Sequence, residues 1–280
     1  MSFRQHLLLP VLLLAAGPMH AGAADYEPPI VDSFPIDQTA PEFVPVEIGS
    51  GWYLRGDVGY AITGATGAFR FRAFDTGTYT PGTFASAAYN GDLSFGVGFG
   101  YRFTDMLRAD LTADNFSLRF NGARTFGSPC PGAGAGTTCS ASDAASVNAW
   151  SIMANGYVDL GTVARFTPYV GAGVGLTYAN WGAASTTYTC ASGACAGATQ
   201  VLPHAGIDSW RFTYAAMAGF AYDVSSNMKL DVGYTFRHVA GGDMFAFPAV
   251  SQAAGASGAE ASDPGFNQHV FKIGLRYELW

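Results

Sequence analysis

Charge is scarce in this chain. Asp, Glu, Lys and Arg make up 12 % of its 280 residues, about half the share in an average soluble protein. Acids outnumber bases 21 to 14, and no stripe of Lys and Arg runs anywhere, which removes nucleic acid from the partners. Histidine occurs five times and cysteine four, without the paired spacings of a zinc site, so neither a metal nor another cofactor is expected. Long apolar runs are also missing. The longest, Leu7 to Ala16, is too short to cross a bilayer as a helix, and no later stretch reaches that length.

Other things are abundant. Glycine supplies 36 residues and aromatics 14 %, and the mean hydropathy is positive at +0.16, unusual for an exported soluble domain. Arg4, the short apolar run and the small residues Ala21-Gly22-Ala23-Ala24 have the three parts of a secretory signal peptide, assigned to residues 1–24. Residues 25–50 differ in character. They hold Pro28, Pro29, Pro35, Pro41 and Pro45, with Asp25, Glu27, Asp32, Asp37, Glu42 and Glu47, and no Lys or Arg. Proline and charge of one sign favour an extended periplasmic segment. It reads as a solvated leader, the alternative being an arm that touches a cationic partner.

From residue 51 to 280 the pattern is one of strands. Between His269 and Trp280 the odd positions are His269, Phe271, Ile273, Leu275, Tyr277 and Leu279, and the even ones include Lys272, Gly274, Arg276 and Glu278. Alternate side chains of a strand point to opposite faces. One face is oily and aromatic, the other charged, and a membrane barrel turns the oily face to lipid. Seven further segments read similarly: about Trp52 to Ala61, Leu93 to Phe103, Leu107 to Phe120, Val147 to Leu160, Thr167 to Tyr178, Trp210 to Tyr222 and Lys229 to His238. In the third, parity slips at Asp114-Asn115, where Phe116, Leu118 and Phe120 take over the oily positions; a β-bulge is expected there. The connections alternate between short turns and long segments near 62–91, 121–146, 181–208 and 240–266. The expected fold is all-β: a closed antiparallel eight-stranded transmembrane β-barrel with long extracellular loops and short periplasmic turns, which puts both termini in the periplasm of a bacterial outer membrane. Ten strands are the alternative, because Ala68 to Phe74 also alternates.

Trp52 and Trp280 fall at the periplasmic ends of strands, and Trp150, Trp181 and Trp210 at the outer ends, as expected of an aromatic girdle at the two interfaces. Opposite the oily face lie Arg55, Arg102, Arg108, Arg119, Arg211, Lys229, Arg237, Lys272 and Arg276, with Asp57, Asp110, Asp114, Asp159, Asp223, Asp231 and Glu278. An eight-stranded barrel is just wide enough for side chains to fill. Charges in so narrow a space must pair, so this lumen charge cluster reads as a salt-bridged core, with an ion or solute path as the alternative. Cys130 and Cys139 share one loop, Cys190 and Cys195 another. In an oxidising compartment, closeness in sequence points to Cys130–Cys139 and Cys190–Cys195 bridges, with pairing between the loops as the alternative.

His238 is the residue an enzyme reading would choose. Outer-membrane lipid A deacylases place a Ser nucleophile two residues beyond such a His; here that position is Ala240, which has no hydroxyl to activate. No enzyme activity is expected.

Several segments together carry a family likeness: Asp25-Tyr26-Glu27-Pro28-Pro29, Gly51-Trp52-Tyr53-Leu54-Arg55-Gly56-Asp57-Val58-Gly59-Tyr60, Pro168-Tyr169-Val170-Gly171-Ala172-Gly173-Val174-Gly175, Arg237-His238-Val239-Ala240-Gly241-Gly242-Asp243-Met244 and the ending Tyr277-Glu278-Leu279-Trp280. With these the chain resembles the small outer-membrane β-barrel proteins of alpha-proteobacteria, related in architecture to the barrel domain of OmpA-type proteins and to the wider porin-like barrels. The resemblance covers essentially the whole chain beyond the signal peptide. It implies a surface protein that stabilises the envelope and presents loops outward, in contact with outer-membrane lipid, lipopolysaccharide and other cells, and assembled by the barrel assembly machinery. It implies no catalytic residues. The ending departs from the family's usual assembly signal: Leu279 holds the position where an aromatic closes the strand, and Trp280 is one residue beyond. A narrow porin-like channel is the rival function.

Overall fold

The computed structural model describes residues 51–279, apart from 76, 92, 127–135 and 194. The signal peptide, the acidic segment and Trp280 lie outside the described residues. Alternation of apolar with small or polar residues gives strands almost throughout. They are β1 (Trp52–Ala65), β2 (Arg70–Asp75), β3 (Thr78–Thr83), β4 (Ser86–Asn90), β5 (Leu93–Arg102), β6 (Leu107–Phe126), β7 (Thr138–Asp159), β8 (Phe166–Trp181), β9 (Ala184–Ser192), β10 (Thr199–His204), β11 (Ser209–Asp223), β12 (Met228–Ala246) and β13 (Ala259–Glu278). One short helix, α1 (Ala249–Ala253), precedes β13.

Eight of these strands make a ring in the order β1-β5-β6-β7-β8-β11-β12-β13, each antiparallel to both neighbours, with β13 pairing back to β1. Every backbone donor and acceptor along such a ring finds a partner, which is the condition for crossing hydrocarbon with strands. Consecutive strands at one end are joined by short turns, as where the Phe103 N–H donates to the Leu107 carbonyl and the Val224 N–H to that of Met228. The other end carries the long connections. The alternating segment at Ala68 to Phe74 does form a strand, β2, but it hairpins with β3 and meets β13 at only two register pairs. The ring stays at eight.

The outer face is apolar over the span of the ring. Val97, Phe95, Phe99, Ile152, Val174, Phe212, Phe271 and Leu275 all project outward, each between 47 and 64 % exposed. In water so much oily surface would be a liability; against lipid it is the stabilising face. Val97→Arg, in the middle of β5, is expected to lower stability by roughly 2–4 kcal/mol. Equilibrium unfolding in lipid vesicles measures it, and a neutral result would reverse the face assignment of β5.

Aromatic rows mark both rims. Trp150, Tyr178 and Trp210 sit side by side on β7, β8 and β11, and the rings of Tyr178 and Trp210 are 5.1 Å apart. At the short-turn end Trp52 packs on Tyr101 at the same spacing, 5.1 Å. Directly beyond the upper row the outer face turns polar: Asn115 donates to Asn148, and Asn180 and Tyr178 donate to Asp208.

Three expectations fail here, for one reason. No bulge interrupts β6 at Asp114-Asn115; its register with β5 and β7 runs unbroken through that point. Phe116, Leu118 and Phe120 keep the inward parity of Asp110 and Asp114 and are each 1 % exposed, whereas Arg119 points outward, away from the lumen. Trp181 is likewise 4 % exposed and faces inward instead of joining the girdle. The inner face changes from polar to apolar partway up, so a rule that equates oily with outward inverts above that level.

Beyond the membrane level β6, β7, β12 and β13 continue unbroken, while their neighbours are replaced. β9 takes over from β8 beside β7, β4 from β5 beside β6, and β2 from β1 beside β13. Each change of partner carries one extra residue. Between Val147↔Trp181 and Ala144↔Ser185, for example, the β8–β9 side advances four residues and β7 three. An extra residue of this kind bends the chain and flips its side-chain parity. The inward residues accordingly pass from odd (Ala179, Trp181) to even (Ala184, Thr186).

Candidate functional site

β6 alone gives a section through the bore. Its inward residues are Arg108, Asp110, Thr112 and Asp114, then Phe116, Leu118 and Phe120, and finally Arg124. The interior repeats that order as three tiers.

The lowest tier is a network of ion pairs. Arg55 reaches Asp110 at 3.0 Å and Asp57 at 3.1 Å, and also donates to the Tyr157 hydroxyl. Asn155 donates to the second oxygen of Asp110 at 2.8 Å. Arg108 pairs with Asp159 at 3.1 Å and is sandwiched between the rings of Tyr157 and Tyr169, 3.9 and 4.8 Å from their centroids. Lys272 bridges Asp57 and Asp114, Arg237 meets the other oxygen of Asp114 at 3.3 Å, and Arg276 pairs with Asp231 at 3.2 Å. Nearest the short-turn end, Arg102 pairs with Glu278 and Lys229 with Asp223. A cavity of about 30 Å³ remains between Arg55, Asp114, Arg237 and Lys272, room for about two water molecules.

Above this lies an apolar plug. Phe69, Phe84, Tyr89, Phe116, Leu118, Phe120, Trp181, Met244, Phe245 and Phe266 form one buried cluster. Its rings contact edge to face, Phe120 with Phe84 at 5.7 Å and with Trp181 at 6.0 Å, and Tyr89 with Phe266 at 5.4 Å. This is the favoured geometry for aromatic packing.

The third tier is a second charged cluster, in segments that read as loops. Arg124 of β6 makes a fork to both oxygens of Asp143 on β7, each at 3.0 Å, and reaches Glu260 of β13 at 2.5 Å. Thr186 donates to Asp143, and His204 Nδ1 lies 3.2 Å from Glu260. Glu260 arrives there by a pair of opposed irregularities in the β12–β13 ladder, between Asp243 and Phe245 and between Phe245 and Ala246. Burial raises the carboxyl of Asp143 above its usual value in spite of Arg124. Arg211, assigned to the lumen, belongs near this level, where it pairs with Asp263 at 2.7 Å.

Of the sixteen residues assigned to the lumen, Arg119 alone stands on the outer face. The cluster missed Arg124, Asp143, Glu260, Asp263 and His204. Their alternation was hidden by Gly-, Ala- and Ser-rich surroundings with no oily outer face to set the parity. Cys190 and Cys195 are bridged. Cys130 lies outside the described residues, and with it the expected Cys130–Cys139 pair. His238 sits on the outer face, stacked on Tyr214 and bonded to Asn267 at 2.8 Å. No group of His, Cys, Asp and Glu among the described residues could hold a metal ion.

Among solved structures, the chain is similar to Neisserial surface protein A at 16 % identity, covering 82 % of this chain and 98 % of that one with a TM-score of 0.44. OprG from Pseudomonas aeruginosa is similar at 15 % identity, covering 82 and 96 %, with a TM-score of 0.42. An uncharacterised protein of Brucella abortus (strain 2308) is 38 % identical over 247 residues, 82 % of this chain and 85 % of its own. One from Brucella suis biovar 1 (strain 1330) is 37 % identical over 251 residues with the same coverage. The family model described as outer membrane protein beta-barrel domain matches residues 10–278, and the chain belongs to that bacterial outer-membrane family.

Proposed function

We propose that this protein is a non-enzymatic, non-conducting barrel that reinforces the outer membrane and displays a rigid crown of strands beyond it. The observation that carries the reading is the apolar plug. An ion that entered from the short-turn end would pass a network whose charges already neutralise one another, then meet a tier of packed rings. Hydrophobic constrictions of this kind are barriers to ions. In this reading the short turns and both termini face the periplasm, the aromatic rows contact lipid and lipopolysaccharide at the two interfaces, and the crown is the surface for other cells. The outward row Phe271, Ile273, Leu275 and Tyr277 on β13, each at least 48 % exposed, suits docking of the last strand to the barrel assembly machinery.

Single-channel recording on refolded protein tests this. The native protein is expected to show no steady conductance, and Phe120→Ala combined with Trp181→Ala, which removes two adjoining rings from the plug, is expected to add one. Sizeable steady conductance in the native protein would instead establish the narrow channel.

A further inference from the structure

We infer that the outer face of the crown carries a binding site for a saccharide bearing an acidic group; this rests on the proposal that the long-loop end faces outward. The site lies where β3, β2, β13 and β12 run side by side. Thr83 is registered with Arg70, Arg70 with Ser262, and Ser262 with Asp243. Residues opposite one another on neighbouring strands share a face, so these four polar side chains form one row. Thr83, Arg70 and Asp243 are exposed and Ser262 half-buried. They line a groove of about 730 Å³ together with Arg72, Pro81, Gly82 and Gly258 to Ala261, within the range of small-molecule sites.

The charges in this groove are left over from the fold. Among the described residues no ion pair or hydrogen bond engages the side chains of Arg70 and Asp243; only the backbone carbonyl of Asp243 is used, by Arg211. Arg72 is held in place by the carbonyls of Ala259 and Ser257 and by the rings of Tyr79 and Phe247, 4.9 and 5.6 Å from its guanidinium carbon. Those partners are neutral, so its charge remains. Glu260 borders the groove but its carboxylate is engaged from the inner side, by Arg124 and at 3.2 Å from His204 Nδ1. Asp75 is exposed on the same strand at the opposite parity. The groove therefore presents two guanidinium groups, one carboxylate and two hydroxyls on a frame fixed by hydrogen-bonded strands.

Each group has a natural counterpart on an acidic sugar. Guanidinium groups form forked bonds to carboxylate or phosphate. A free carboxylate accepts from neighbouring sugar hydroxyls, and Ser and Thr hydroxyls both donate and accept. The row repeats at the strand spacing of about 4.8 Å, close to the repeat of linked pyranose rings. A protein partner would ask for an apolar centre with aromatic anchors; the one aromatic lining the groove, Phe71, is only 5 % exposed, and the small apolar groups Pro81 and Ala259 suit the flat face of a sugar better. Such a ligand has two sources: the core sugars of lipopolysaccharide in the same membrane, or glycan on another surface.

The test is calorimetric titration of the refolded protein, in nanodiscs of phosphatidylglycerol, with a glucuronic acid–N-acetylglucosamine disaccharide, its methyl ester and neutral chitobiose. Saturable binding of the acidic disaccharide is expected, with the ester weaker by roughly tenfold, the effect of one charge-assisted contact. Arg70→Gln should weaken the acid to the level of the ester and leave the ester unchanged. Asp243→Asn should weaken acid and ester alike. Both residues are exposed, and the β-sheet circular dichroism of each variant verifies its fold. Repeating the titration in nanodiscs of lipopolysaccharide lacking O-chain separates the sources: loss of disaccharide binding identifies the same-membrane sugar, and unchanged binding a sugar from outside. Absence of saturable binding, or equal binding of acid and ester by native protein and Arg70→Gln, would overturn the assignment whatever the conductance experiment shows.

Discussion

Asp114→Ala is expected to destabilise the barrel by on the order of 3–5 kcal/mol, the cost of breaking a buried ion pair. Asp114 is 2 % exposed, receives Lys272 and Arg237 on its two oxygens, and sits directly below the apolar plug, beside a cavity of only about 30 Å³. Its removal leaves Arg237 without its ion-pair partner against the ring of Phe116. Lys272 loses one of two carboxylates and keeps Asp57. Arg102→Ala is the internal control. Its side chain is 34 % exposed and its partner Glu278 stands at the watery end of the bore, so the loss should be about 0–1 kcal/mol, as for surface pairs. Equilibrium unfolding of both variants in lipid vesicles measures the contrast. Equal, small effects would mean that water reaches Asp114 freely and that the bore is not closed above it.

Glu260→Ala is expected to loosen the crown while the ring stays intact. Beyond the membrane the strands divide into two groups, β10-β9-β7-β6-β4 and β3-β2-β13-β12. Arg124 and His204 belong to the first and Glu260 to the second, and both meet that carboxylate across the division; His204 Nδ1 also lies 3.0 Å from the Ala246 carbonyl, and the Ala246 and Ile207 N–H groups add two backbone bonds across it. The loss should be about 3 kcal/mol, the low end for a broken buried pair, because Arg124 keeps Asp143. Faster hydrogen exchange confined to β2, β9 and β10 would report it. The dependence on pH has a definite sign. Burial pushes the Glu260 carboxyl up, but the hydrogen bond from His204 and the Arg124 guanidinium outweigh it and hold the group below its usual value. A carboxyl depressed in the native state stabilises above its unfolded value, near 4.3, and that contribution disappears as pH falls through the native value. Exchange in the crown should thus be unchanged by this group from pH 7 to 5 and rise only below about 4. Glu260→Gln should remove the rise; an identical acid response in that variant would assign it to other carboxyls.

The ring was legible because lipid imposes a rule on it. Where Phe271, Ile273 and Leu275 face hydrocarbon, their alternation with Lys272, Gly274 and Arg276 defines the strand and its register at once. The ion-paired lumen followed from the same parity and from the narrow bore. Above the membrane that rule lapses. Phe116, Leu118 and Phe120 are as oily as any lipid-facing residue, and their parity alone, continuous with Asp114, shows that they point inward. The readings of Arg119 and Trp181 went astray at that same level. In β7, Ser140, Ser142, Ala144 and Ser146 alternate with Ala141, Asp143 and Ala145; neither face is oily enough to be seen. Glu260 was beyond reach for a further reason: two ladder irregularities, not a pattern in the sequence, turn it inward.

The extra residue at each change of partner has a bearing on how this protein can be re-engineered. β7 is a single uninterrupted rod, yet it is bonded below to β8 and above to β9 by two ladders already out of step with each other. A graft that replaces β9 and β10 above Gly182 inherits a register set by β7 and asks nothing of β8. The same holds for β4 above β5 on the rod of β6, and for the β2–β3 hairpin above β1 on that of β13. Foreign epitopes or binding loops exchanged at these three joints would ride on masts anchored in the membrane, with the lipid-facing sequence left untouched.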